Sequence, residues 1–96
     1  MKRSLHQRVR VMVEGTVQGV GFRPFVYRLA RELELSGWVT NTRSGVLIEA
    51  EGDAGDIESF LRRLKENAPA SAMVKSMNTS SVPVVDEKYF SIAPSV

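Results

Sequence analysis

Gly15-Thr16-Val17-Gln18-Gly19-Val20-Gly21-Phe22-Arg23 is the stretch on which the reading of this chain turns. Its glycines interrupt one periodicity and open another. Before it, Arg8 to Glu14 alternates, with Val9, Val11 and Val13 pointing one way and Arg8, Arg10, Met12 and Glu14 the other. That is the pattern of a half-buried strand. After it, Phe22, Phe25, Val26, Leu29, Ala30 and Leu33 recur at helical spacing, with Arg28, Arg31, Glu32 and Glu34 off the stripe. Pro24 suits a first helical turn, where no backbone donor is needed, so the helix is expected to begin at Phe22 to Pro24. The loop Gly15 to Gly21 therefore runs straight into a helix N-terminus.

Strand, glycine loop and helix together make a phosphate-binding layout. Glycines let successive backbone N–H groups turn inward without Cβ clashes. The helix start adds unpaired N–H groups and the positive end of its dipole. Arg23 adds a guanidinium fork suited to phosphate oxygens. The spacing matches neither the Walker pattern nor the dinucleotide fingerprint, because Gly-Lys-Ser/Thr and a second βαβ half are both missing. Read from the residues alone, the same stretch also fits a tight turn with Arg23 on the surface.

Further along, Ser36 to Thr42 reads as a second strand built on Trp38 and Val39. Arg43-Ser44-Gly45 is a short turn, so a hairpin follows into a third strand, Val46 to Glu51. Asp53 is placed to cap a second helix carrying Ile57, Phe60, Leu61 and Leu64 on one face, which Asn67 and Pro69 end. Ala72 to Met77 reads as a fourth strand, Asn78 to Glu87 as a loop or irregular edge, and Tyr89 to Ile92 as a short optional fifth strand. The order is β-α-β-β-α-β. It predicts an α+β, ferredoxin-like sandwich: a four-stranded antiparallel sheet with two helices on one face. One domain over residues 1–96 is expected, with its core at about 8–93.

A chain of 96 residues buries roughly two-thirds of its unfolded surface, enough for a core without staples. It has no cysteine, so disulfides and thiolate metal sites are excluded, which fits a reducing cytoplasm. With His6 as the only histidine, a zinc site would need carboxylates at almost every position, so no metal and no cofactor are expected. No signal peptide and no membrane span are expected, because apolar stretches are short and interrupted by charge. The net charge of +2 is too mild to point to nucleic acid. Lys2, Arg3, His6, Arg8 and Arg10 form a basic run that reads first as a solvated tail entering a strand, and second as a polyanion contact.

The string Gly-x-Val-Gln-Gly-Val-Gly-Phe-Arg closely resembles the acylphosphatase signature. Ser36-Gly37-Trp38-Val39-Thr40-Asn41 followed by Gly45 resembles the family's second segment, and Ala70 to Val74 its entry to the fourth strand. The resemblance implies hydrolysis of a carboxyl–phosphate anhydride. It further implies that Arg23 and the backbone of Gln18, Gly19, Val20, Gly21 and Phe22 hold the phosphate, while Asn41 orients the attacking water. Without the resemblance, Asn41 reads first as a strand-end residue bonding its own turn. No histidine, cysteine or paired carboxylate at a telling spacing competes as a nucleophile.

Phe22-Arg23-Pro24-Phe25-Val26 and the ending Phe90-Ser91-Ile92-Ala93-Pro94-Ser95 resemble the N-terminal domain of hydrogenase maturation carbamoyltransferases. There the domain precedes zinc-finger-like and nucleotide-handling modules, and its implied role is to release carbamate from carbamoyl phosphate. The expected partners are thus a small acyl phosphate and further domains of a larger chain. A free-standing acylphosphatase and a non-catalytic phosphate-binding or regulatory domain are the alternatives. Ferredoxin-like sheets also bind RNA on exposed aromatics, but Arg8–Glu14 and Val46–Glu51 carry none.

Overall fold

The valines of the first strand suit it to an interior place in the sheet, paired on both sides. The computed structural model describes residues 5–95. Strand β1 (His6–Thr16) is followed by helix α1 (Phe22–Glu32), β2 (Ser36–Asn41), β3 (Gly45–Asp53), α2 (Ala54–Glu66), β4 (Met73–Val82) and β5 (Phe90–Ile92). The sheet order is β4-β1-β3-β2-β5. The first four strands pair antiparallel, and β5 adds parallel to β2, so the five-stranded sheet is mixed. Val9, Val11 and Val13 are buried, as their alternation predicts. They share one core with Val39, Ile48, Ala50, the α1 residues Val26, Leu29 and Ala30, and the α2 residues Ile57, Phe60 and Leu64. Both helices therefore cover the same face.

Asp53 stands at the N-cap of α2, where the sequence puts it. Helix α1 ends on a six-to-one bond from Leu35 N–H to the Ala30 carbonyl (2.9 Å) and a bond from Glu34 N–H to the Arg31 carbonyl (3.1 Å). This is a Schellman closure, and Glu34 occupies its left-handed position at φ 56°. Leu33 becomes the C-cap and is only half-buried, rather than a full member of the stripe.

The main departure from the sequence reading lies in β4. It runs on to Val82, through residues 78–82 that read as a loop or irregular edge, and pairs with β1 from Arg8 to Thr16. An edge strand needs backbone partners but no apolar face. Most of its side chains are exposed, so polar residues such as Asn78, Thr79, Ser80 and Ser81 serve there. Residues 83–89 then join β4 at one edge of the sheet to β5 at the other.

The helix-free face is charged. Arg8, opposite in direction to Val9, is 3% exposed. Its Nε donates to Glu49 Oε1 (2.7 Å), its Nη1 to Glu51 Oε1 (3.0 Å) and its Nη2 to Glu87 Oε1 (2.7 Å). Arg10 donates to Glu49, and His6 Nε2 lies 2.9 Å from Glu51 Oε2. In the basic run Arg8 is thus buried rather than solvated, while His6 and Arg10 stay exposed and are paired with carboxylates. The run's other members, Lys2 and Arg3, lie outside the described residues. Glu51 also accepts from the backbone N–H groups of Val85 (2.9 Å) and Asp86 (3.0 Å), and so fastens segment 83–89 to the sheet. No helix among the described residues is long and apolar enough to cross a membrane.

Candidate functional site

Strand β1 delivers the chain to the loop, and two buried side chains fix the loop's ends. Val17 and Phe22 are each 1% exposed, and Phe22 also packs its ring against Phe25 at 5.6 Å. Between them Gln18, Gly19 and Gly21 are exposed and Val20 is half-buried. Gly19 (φ 73°) and Gly21 (φ 79°) are left-handed. A Cβ at either would meet nothing within 4 Å, so backbone conformation, not space, calls for glycine here. Such alternation turns consecutive N–H groups to one side, the arrangement of an anion nest.

Gly21 is also the N-cap of α1, with no side-chain capping bond, and the first turn holds no acidic residue. The N–H groups of the helix start thus lack the capping acceptor that most helices supply. Neither a capping side chain nor a first-turn carboxylate offsets their partial positive charge, which suits an external anion.

The side chain of Arg23, in the first turn of α1, makes no hydrogen bond or ion pair among the described residues. Arg28 and Arg43 share that lack of a partner but are exposed, whereas Arg23 is half-buried. A partly desolvated guanidinium without a counter-charge is a group prepared for an anion.

Asn41 closes β2, on the same side of the sheet as Val39, which is the side of α1. It pairs with Val46, whose other neighbour is Val13 at the end of β1, so Asn41 and the loop meet at one end of the sheet. Its Oδ1 is buried without a hydrogen-bond partner among the described residues. Buried polar atoms are normally satisfied, so this acceptor points to a molecule that completes it, such as a water.

One contact was not legible in the sequence. The side chain of Gln18 crosses to the β2–β3 turn, its Nε2 donating to the carbonyls of Thr42 (2.6 Å) and Gly45 (2.8 Å). Carbonyl acceptors have no sequence identity, so only the fold reveals the link. Beside it, a crevice of about 230 Å³ separates Gly15, Thr16 and Val17 from Arg43, Ser44 and Gly45.

A larger depression of about 590 Å³ lies away from the loop, lined by Tyr27, Arg31, Glu34, Leu35, Lys88, Tyr89 and Phe90. Its Arg31 already donates to Tyr27 Oη at 2.8 Å. The side chains of Glu34, Lys88 and Tyr89 there have no partner among the described residues, but all three are exposed, whereas Arg23 is half-buried. His6, Glu51 and Asp86 bring potential metal-ligand atoms within 4.8 Å of one another. Each Glu51 oxygen already accepts two hydrogen bonds, with the Arg8 cation alongside, so this carboxylate has nothing left for an ion.

Comparison with known proteins shows what the chain resembles in sequence and fold. The carbamoyltransferase HypF2 of Cupriavidus necator is 58% identical over 67 residues, covering 70% of this chain and 8% of that protein. The acylphosphatase of a Synechococcus strain is 42% identical over 89 residues, covering 92% of this chain and 98% of that protein. The structure of full-length HypF in a phosphate- and nucleotide-bound form matches with a TM-score of 0.93 at 40% identity, over 98% of this chain and 12% of that one. An acylphosphatase from Coxiella burnetii matches with a TM-score of 0.88 at 33% identity, over 97% of this chain and 100% of that one. The chain therefore spans about a tenth of the length of the carbamoyltransferases it matches. Residues 9–92 fit the sequence pattern of the acylphosphatase family, and the chain belongs to that family.

Proposed function

We propose that this chain hydrolyses acyl phosphates, carbamoyl phosphate among them, to a carboxylate and phosphate, acting as one domain of a hydrogenase maturation carbamoyltransferase. The observation that carries the reading is the half-buried Arg23, whose side chain has no partner among the described residues, set on a helix start without a side-chain cap. The N–H groups of Gln18, Gly19, Val20, Gly21 and Phe22, with Arg23, hold the phosphate. The amide of Asn41 orients a water in line with the bond to the acyl oxygen. The water oxygen bonds to phosphorus, the bond to the acyl oxygen breaks, and the carboxylate leaves with that electron pair. For carbamoyl phosphate the departing group is carbamate. A phosphate oxygen of the substrate takes the water's proton. Phosphoryl transfer of this kind rests on positioning and charge stabilisation, which these residues supply.

The near-complete match to the Synechococcus acylphosphatase favours, as a second reading, the same chemistry in a free-standing enzyme. Hydrolysis of benzoyl phosphate and carbamoyl phosphate by the pure protein tests both. Turnover of acyl phosphates with little action on p-nitrophenyl phosphate is the expected result, since the site offers no general acid for a poorer leaving group. Phosphate binding without turnover would turn the reading to a non-catalytic phosphate-binding domain. Absence of phosphate binding would overturn it.

A further inference from the structure

We propose that Gln18 is a positioning residue, whose side-chain amide holds the phosphate loop in register with the strand end that carries Asn41. The inference rests on the function proposed above and adds a role for a side chain where only a backbone role follows from the family resemblance. Gln18 is exposed and contributes nothing to the core. Yet both hydrogens of its Nε2 are engaged, on Thr42 and Gly45 carbonyls that lie 24 and 27 residues away. The turn does not need this help to close. Thr42 N–H donates to the Gly45 carbonyl at 2.9 Å, and Ser44 N–H to Thr42 Oγ1 at 3.3 Å. The link therefore acts between the two segments and not within either.

What it joins is the phosphate cradle on one side and, on the other, the residue that follows Asn41. Val17 and Phe22 anchor the ends of the loop through burial, but neither touches the turn by a hydrogen bond. Between them two left-handed glycines leave the loop with much conformational freedom. In-line attack requires water and phosphorus to be held to a fraction of an ångström, and displacement by about 1 Å can cost a hundredfold in rate. Gln18 supplies that registration.

Gln18→Met keeps the length of the side chain and removes both donors. Gln18→Asn keeps the amide but is too short to reach both carbonyls, and serves as a second variant should Met perturb folding. With benzoyl phosphate as substrate, kcat should fall about ten- to a hundredfold in each, while the Kd for inorganic phosphate stays within about threefold, because Arg23 and the anchored loop remain. The decisive measurement is the double variant Gln18→Met with Asn41→Ala. If Gln18 acts through Asn41, the double variant is no slower than Asn41→Ala alone. Multiplicative losses, an unchanged kcat, or equal losses of kcat and phosphate affinity would each overturn the proposal. Failure of both single variants to fold would also overturn it, by assigning Gln18 to stability. An inactive parent protein would instead overturn the proposed function, and this role with it.

Discussion

Arg8 and Glu51 face each other across the β1–β3 pair as a buried ion pair, Nη1 to Oε1 at 3.0 Å, with side chains 2% and 0% exposed. Burial alone would raise the Glu51 pKa. The hydrogen bonds from Val85 N–H, His6, Arg8 and Asp86 N–H outweigh it and bring the value down to about 2, from an ordinary 4.5. Glu49 moves in the same direction, with burial opposed by Arg8 and Arg10. A folded pKa below the unfolded one means that the unfolded chain takes up protons first as pH falls. The Glu51 contribution is therefore complete above about pH 5 and is lost between roughly pH 4.5 and 2, amounting to about 3 kcal/mol. Urea unfolding across that range should show stability falling with acid. In Glu51→Gln this loss should be much shallower, and at pH 7 the variant should be less stable by about 3 kcal/mol, since the Arg8 charge keeps only part of its compensation. A variant with the parental acid profile would show that Glu51 is not the group responsible.

Arg23→Ala should remove both binding and turnover. A charge-assisted contact made before and during transfer is worth about 3–4 kcal/mol at the transition state, or two to three decades in rate. Because Arg23 has no partner within the described protein, its loss should leave the thermal midpoint of the unliganded protein nearly unchanged. Calorimetric titration with inorganic phosphate separates the two effects. Parental affinity in the variant would exclude Arg23 from the cradle.

Asn41 should separate from Arg23. Asn41→Ala is expected to lower kcat while phosphate affinity holds. It also deletes a buried acceptor that has no partner among the described residues, so thermal stability should hold or rise slightly. Asn41→Asp keeps the shape but sets a negative charge near the bound dianion, so both kcat and affinity should fall. Parental turnover in folded Asn41→Ala would reduce Asn41 to a turn residue.

Glu34→Gly should stabilise the fold. A side chain in the left-handed region costs about 1–2 kcal/mol, and glycine gives back about 0.5–1 kcal/mol through the unfolded state, leaving a net gain of about 0.5–1 kcal/mol. The Schellman bonds use backbone groups only, so they survive the change. Denaturant midpoints at equal slope measure it. A destabilised variant would mean that the Glu34 side chain contributes more than its backbone strain costs.

The helical stripe of α1 and the alternating valines of β1 were legible because each expresses burial through a period. The Asp53 position was legible because a short acidic residue just before an apolar helical stripe marks a helix start. The second half of β4 was not, because an edge strand with exposed side chains leaves no such trace. The ionic face was not either. Arg8, Glu49 and Glu51 alternate with core residues as a solvated face would, and only the passage of residues 83–89 over them shows why they are buried. At the candidate site, Arg23 and Asn41 stood out through their motifs. The Gln18 side chain did not, because its partners are main-chain oxygens set by turn geometry.

The sheet order carries a kinetic consequence. Val11 in β1 pairs with Ile48 on one side and Thr79 on the other, so this interior strand is secured only when chain segments far apart in sequence have met. Long-range pairing of this kind makes folding slow, because closure entropy is lost before the contacts form. The loop after β1 and the turn before β3 are expected to come together as that pairing completes, which would set assembly of the proposed anion cradle after the folding transition state. Added phosphate should then leave the refolding limb of the chevron where it is and slow the unfolding limb alone. Stopped-flow measurements that showed faster refolding with phosphate would place cradle assembly ahead of the barrier.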